Sequence, residues 1–369
     1  MAAPFPVRFA FPYSSFSQPT MWLLFNETPF AAERTWTRDE AGREFWLVAI
    51  KAAFEIFPDG GQAPLKEQIP VRRAPVFAGD PTQTELLEES DFNLEKTGTD
   101  VLVAGHAYVP SGKPAVETVV RMRLADLDKS LRVTGDRMLA DSLVSIRPSR
   151  PQPFSRMPIT WRRAFGGTDM QASKPAWEPR NPVGTGFAVE SRHLLGRPAP
   201  NFEYPDAPYR GPANGRPAGL GPVARHWLPR LKHAGTYGTD WEENRDPLPP
   251  RDFDRKFYQC APEDQQTRTP LVGFEHVQLS NLTSDGFQQF LLPRITFDLV
   301  TQFYNRPDRR HRATIHTLWL LPDQRRFVIV WLSALPCPYD EERLKGTTVR
   351  LKRQIGVPAS FSATGVWIP

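Results

Sequence analysis

The residues best suited to chemistry in this chain are two aspartates, Asp252 and Asp254, separated only by Phe253. On an extended strand, carboxylates two positions apart point the same way and could hold a hard cation. Such sites recruit further oxygen ligands, and Glu242, Glu243, Asp246 and Asp264 are near in sequence. Arg245, Arg251 and Arg255 are equally near, so an ion-paired, structural role is the simpler reading. The seven histidines (106, 193, 226, 233, 276, 311 and 316) show no regular ligand spacing. The glycine-rich stretch 164–169 could cradle an anion on consecutive N–H groups, although a tight turn that packs Phe165 explains it more simply. Gly184-Thr185-Gly186 lacks the third glycine of a nucleotide loop and reads as a turn. P-loop, G-x-S-x-G, H-E-x-x-H and C-x-x-C patterns are all missing. No catalytic residue, metal or cofactor is therefore assigned.

The elements that would position these residues fall into three stretches of one large domain spanning 1–369: 1–147, 148–270 and 271–369. In the first, Glu44–Ile56 is apolar and β-rich and ends at the turn signal Asp59-Gly60-Gly61. Val101, Val103, Ala107 and Val109, then Val116, Thr118, Val120, Met122 and Leu124, alternate across a Pro-Ser-Gly-Lys-Pro break and predict a hairpin. Short strands are expected at 131–133 and 143–146, and a helix only near 82–89. In the last stretch, 314–321 and 327–332 flank Pro322-Asp323-Gln324 and predict a second hairpin. Residues 340–345 read as one helical turn stopped by Gly346.

Composition limits the rest. The chain has 369 residues, of which 40% are hydrophobic and 11% aromatic, so it can fill a core. Its 39 prolines are roughly twice the average usage of about 5%, which excludes an all-helical fold. The middle stretch holds 20 of those prolines, 11 glycines and 14 aromatics. Few ladders or helices survive that proline density, yet a bare linker would not expose Trp161, Trp177, Trp227, Trp241, Phe253, Phe257 and Tyr258. It is expected to be irregular but packed. The fold class that follows is mainly β: an antiparallel sandwich or distorted barrel of N- and C-terminal strands, with the Pro-rich segment draped on it.

Charge and thiols narrow the functions. Forty-six basic and 41 acidic residues leave a net charge of +5. The one acid-free basic run, Arg147, Arg150, Arg156, Arg162 and Arg163 with Phe154 and Trp161, is broken by prolines, and no nucleic-acid partner is expected. Cys260 and Cys337 are too few for a disulfide framework and read as reduced, buried thiols. The first 13 residues lack the apolar run of a signal peptide, and no stretch approaches a membrane span. A cytoplasmic protein without membrane insertion is expected.

A longer pattern covers about residues 15–335. It begins with Asn26-x-Thr28-Pro29-Phe30, a strand from Trp46 to Phe54 containing Lys51, a stretch from Asp91 to Lys96, and Thr99-Asp100-Val101-Leu102-Val103-x-Gly105-x-Ala107-Tyr108. It continues through Lys129-x-Leu131-x-Val133-x-Gly135-Asp136-Arg137, Phe154-x-x-Met157-Pro158-Ile159, Arg163-Ala164-Phe165-Gly166-Gly167 and Asn181-Pro182-Val183-Gly184-x-Gly186-Phe187. Trp227-x-Pro229-Arg230, Gly235-Thr236-Tyr237, Trp241-x-x-x-Arg245-x-Pro247-Leu248-x-Pro250, Asp252-Phe253-Asp254 and Ala261-Pro262-x-Asp264-Gln265 complete it. This order resembles the domain-of-unknown-function family encoded beside effector and spike genes of the bacterial type VI secretion system. Gly238 stands where that pattern has an acid, His316 where it has Asp, and Met138 where it has an aromatic.

The resemblance implies a non-enzymatic adaptor or chaperone. Its expected partners are a secreted effector protein and a spike protein (VgrG) or PAAR-type tip protein. Trp, Tyr and Arg dominate binding hot spots. Trp227, Arg230, Tyr237, Trp241 and Arg245, with Asp252 and Asp254, are accordingly the candidate partner contacts, although an irregular segment must bury many of its aromatics to stay folded. Two other classes compete: a metal-dependent hydrolase built on the Asp pair, and a carbohydrate-binding β module built on exposed, coplanar tryptophans.

Overall fold

A computed structural model describes residues 22–110, 113–142, 145–337 and 344–356. Among the described residues, strand accounts for 43% and helix for 10%, and none of the sheets closes into a barrel. The mainly β reading stands, and the arrangement is that of a β sandwich.

A six-stranded sheet forms the centre. Its order is Ala31–Arg38, Glu44–Ile56, Arg326–Pro336, Thr314–Leu321 and Asp100–Val103, with Gln62–Pro64 added to the end of Glu44–Ile56. The two ends of the chain meet here: Ile50 lies opposite Trp331 and Phe54 opposite Phe327. A four-stranded sheet runs Leu23–Glu27, Leu344–Ile355, Arg294–Phe303, Arg306–His311. A five-stranded sheet runs Phe202–Glu203, Leu127–Thr134, Glu117–Leu124, His276–Ser280, Phe287–Leu291. Most pairings are antiparallel, but Leu23–Glu27 joins Leu344–Ile355, and Asp100–Val103 joins Thr314–Leu321, in parallel.

The central sheet is covered on both faces, which explains why its two longest strands read as continuous apolar runs rather than clean alternations. Trp46, Val48, Ile50, Ala52, Phe54, Phe327, Ile329 and Trp331 face the other two sheets in one shared core. Phe327 stacks on Phe54 at 4.9 Å and on Phe290 of the five-stranded sheet at 5.1 Å, while Trp331 meets Phe297 of the four-stranded sheet edge-on at 5.2 Å. Each such buried side chain contributes roughly 1.5–3 kcal/mol. The opposite face is covered by the loop before residue 100 and by the middle segment. Leu47, Ala49 and Leu332 pack with Leu94, Phe92 and Tyr258, and Leu102 packs with Cys260 and Ala261. The middle segment is thus irregular, as expected, and packed. Of its seven named aromatics only Trp177 is exposed, at 52%.

Several local expectations fail. Glu117–Leu124 does not pair with 101–109. It forms a hairpin with Leu127–Thr134 across Ala125-Asp126, where Ala125 adopts a φ of 51°, and its other edge takes His276–Ser280. Residues 82–89 are not a helix: Asp80 caps Thr82 through both its N–H and its hydroxyl, and Leu86–Glu88 is extended. Burial of Leu86 against Trp161 and Trp227 overrides the local preference for helix. Residues 131–133 lie within Leu127–Thr134, and Ile146 opens the strand Ile146–Pro148. The one-turn helix fails where it can be followed, since Leu344 and Lys345 begin a strand; its start, like the N-terminal 13 residues, lies outside the described residues. The 314–332 hairpin forms as expected, turning through Pro322–Gln324 to Arg325 in the left-handed region. Cys260 and Cys337 are buried and form no disulfide with each other. Among the described residues no helix is long and apolar enough to cross a membrane.

Candidate partner-binding surface

The seven candidate contacts separate into an interior pair and a surface group. Trp227 is fully buried, edge-on to Trp161 at 5.6 Å. Arg230, in the short helix Leu228–Leu231, is 3% exposed. Its guanidinium donates to the carbonyls of Phe257 (2.8 and 3.0 Å) and Val223 (2.9 Å) and to Glu89 Oε2 (2.5 Å). Arg225 holds the other Glu89 oxygen at 2.9 Å. Desolvation alone would raise the Glu89 carboxyl, but Arg230 and Arg225 outweigh it and hold it at about 2. Trp227 and Arg230 therefore fasten the middle segment to the core.

The other five residues build one projecting loop. Asp252 accepts from the Thr236 N–H at 2.9 Å and its hydroxyl at 2.8 Å, which lowers its pKa. Asp254 accepts from the Lys256 N–H at 2.9 Å, capping the turn Arg255–Tyr258, and meets His233 Nδ1 at 2.8 Å. Partial burial works against its ionisation, but these two partners prevail and its pKa is lowered. These clamps tie 233–236 to 250–256, and the chain between them forms the loop. Gly235, at φ +80°, permits the close approach: a Cβ there would sit 2.8 Å from the Asp252 carboxylate. Within the loop, Trp241 Nε1 donates to the Leu248 carbonyl at 2.7 Å. Arg245 donates to the Pro249 carbonyl at 3.0 Å and to the Glu40 carbonyl. Tyr237 stands edge-on to Trp241 at 4.7 Å and is 48% exposed, and Leu228 and Leu231 are exposed nearby in the chain.

These contacts bear on the competing chemistries. The Asp252 and Asp254 carboxylates are engaged by Thr236, His233 and Lys256 rather than by the neighbouring arginines. Among the described residues no group of three or more His, Cys, Asp or Glu is placed to hold a metal ion. Trp22 and Trp36 are nearly parallel, but they lie face to face at 5.6 Å and are half-buried, unlike a side-by-side sugar platform. In the basic stretch 147–163, Trp161 is buried, Phe154 is half-buried and Arg163 pairs with Asp136 at 2.8 Å. The glycine stretch 164–169 is a packing motif. Phe165–Gly166 pairs in parallel with Thr185–Gly186, and Asn181 Nδ2 donates to the carbonyls of Trp161 and Phe165, both at 2.9 Å.

Sequence reasoning missed a set of ion pairs built on buried lysines. Lys51 reaches Asp91 at 3.1 Å, Lys96 reaches Asp100 at 2.6 Å, and Lys129 reaches Asp264 at 2.7 Å. Burial lowers Lys129 to about 8 despite Asp264. For Lys51 and Asp100 the signal is a charged residue inside an apolar strand; Asp91, Lys96 and Asp264 lie outside strands and carry none. A polar chain also links the central and four-stranded sheets. Trp46 Nε1 donates to Thr347 Oγ1 (2.8 Å), which meets Thr301 Oγ1 (2.7 Å); Thr301 meets His311 Nε2 (2.8 Å), and His311 Nδ1 meets Ser333 Oγ (2.5 Å). A neutral imidazole completes this chain in either tautomer, donating from one ring nitrogen and accepting at the other. Burial pushes His311 down to about 4 despite the nearby Asp298.

The motifs Lys51, Asp91–Lys96, Asp100, Phe165–Gly167, Asn181 and Arg230 thus coincide with the internal ties of the molecule. A family model described as an uncharacterized protein conserved in bacteria, DUF2169, matches residues 41–332. The chain belongs to the DUF2169 family. The DUF2169 match takes in the buried ion pairs, the middle segment and the projecting loop, and it ends inside Arg326–Pro336. No curated protein and no solved structure matches the chain.

Proposed function

We propose that this DUF2169-family chain is a non-enzymatic adaptor that binds a type VI secretion effector in the bacterial cytoplasm and helps load it onto the VgrG spike or a PAAR-type tip. The observation that carries this reading is the Tyr237–Trp241 loop: an exposed aromatic edge braced by the Asp252 and Asp254 clamps and by Arg245. A rigid, exposed aromatic costs little ordering entropy on binding, which is what a hot spot requires. The resemblance of the motif order to the secretion-linked family supplies the partner class.

Co-expression with the effector encoded beside it is expected to give a stable complex and a higher soluble effector yield. Tyr237→Ala is expected to weaken that complex by about 2 kcal/mol, a typical hot-spot loss, and to lower the melting temperature only slightly through the lost Trp241 contact. Failure to co-purify with any neighbouring effector or spike component overturns the proposal.

A further inference from the structure

Among the described residues, the outermost strand of the four-stranded sheet, Arg306–His311, has only one neighbour, Arg294–Phe303. Residues 306–310 are all exposed. Among the described residues, no backbone group of 307–312 is bonded outside that single pairing. An edge of this kind is a template for another strand. Its side chains decide which strand. Residues 306–312 carry four arginines against one aspartate, Asp308. Arg309, Arg310 and Arg312 have no ion pair among the described residues. A second copy of the same edge would set arginine against arginine, which disfavours self-pairing. An acidic strand would meet complementary charge. A shallow groove of about 190 Å³ lies beside the edge, lined by Phe303, Pro307, Pro336 and Cys337 with Arg306, Asp308 and Arg309, and offers room for one apolar side chain.

We infer that Arg306–His311 accepts an extended acidic segment of a partner protein as a fifth strand of this sheet, with backbone pairing giving affinity and the arginines giving selectivity. Recognition by strand addition combines these two features, since alternate side chains read the partner while the main chain holds it. The inference deepens the adaptor reading and rests on it for the partner's nature. The assay below reads the edge alone, so its failure leaves the co-expression result intact.

The test is fluorescence anisotropy on the full chain with a dye-labelled octapeptide alternating Glu and Val. Binding is expected, weakened about tenfold by Arg309→Glu with Arg310→Glu and, to a lesser degree, by Arg309→Gln with Arg310→Gln, and reduced by added salt. The same peptide N-methylated at alternate residues loses its backbone donors and is expected to bind at least about tenfold more weakly. A Lys-Val octapeptide is expected not to bind. Three results overturn the inference: no binding of the Glu-Val peptide, equal binding of the N-methylated peptide, or tighter binding of a single-stranded thymidine oligonucleotide, which would make the edge a general polyanion surface.

Discussion

At the scale of single residues, the consequential groups are charges and imidazoles shut away from water. Glu89 is 5% exposed and sits between Arg230 and Arg225. Glu89→Gln would leave the buried Arg230 guanidinium facing a neutral partner, a change that typically costs about 3–5 kcal/mol. Urea denaturation should show that loss. His311 provides a pH signature. The unfolded chain protonates it near the ordinary histidine value of 6.5, whereas the folded chain does so only at about 4. Between those values the unfolded state binds more protons, so stability is intact above about pH 6.5 and declines as the pH falls toward 4. The full difference is about 3 kcal/mol, from roughly 1.4 kcal/mol per unit. His316, fully buried beside Lys96, is depressed in the same direction and adds to the slope. Melting curves from pH 7 to pH 4.5 should show the decline, and His311→Gln, which carries no titrating proton, should flatten it.

At the scale of elements, the strands were legible in the sequence and several of their partners were not. The 314–332 hairpin declared itself because its turn is short and contains proline at a favoured position. The alternation in 116–124 identified a strand but not its neighbour. Its true turn, Ala125-Asp126, has no glycine or asparagine to mark it, although Ala125 is left-handed. Asp100–Val103 pairs with a strand more than two hundred residues away, a contact that periodicity cannot report. The candidate loop was found by residue type, yet Trp227 and Arg230 look no different in sequence from Trp241 and Arg245. Burial alone separates them, and it depends on Glu89 and Leu86 arriving from another stretch. The glycine motif gives a prediction at this scale. A Cβ on Gly166 would lie 2.0 Å from the Asn181 carbonyl oxygen, with φ at +149°. Gly166→Ala must push apart two short strands and break the Asn181 bonds. We expect a loss of at least about 2 kcal/mol, with lowered soluble yield, measured by thermal denaturation beside the wild type.

At the scale of the whole molecule, the middle third is a covering layer on the second face of the central sheet. It is held to the rest of the chain by Arg230–Glu89, by Lys129–Asp264 and by the packing of Cys260 and Ala261 on Leu102. Limited trypsin digestion should therefore cut 148–270 no faster than the rest of the chain, despite its many arginines. Thermal unfolding should be a single transition in which tryptophan fluorescence and far-UV circular dichroism change together. Early excision of that third would contradict the packing described. The interleaving of Glu44–Ile56 with Arg326–Pro336 carries a further consequence for biosynthesis. The first of these strands emerges from the ribosome long before its neighbour exists, and at bacterial elongation rates the wait is on the order of ten seconds or more. Throughout that interval a thirteen-residue apolar ribbon is without its mate. Nascent chains of this protein should therefore engage ribosome-associated holdases, and translation arrested before residue 326 should yield aggregates rather than a folded fragment.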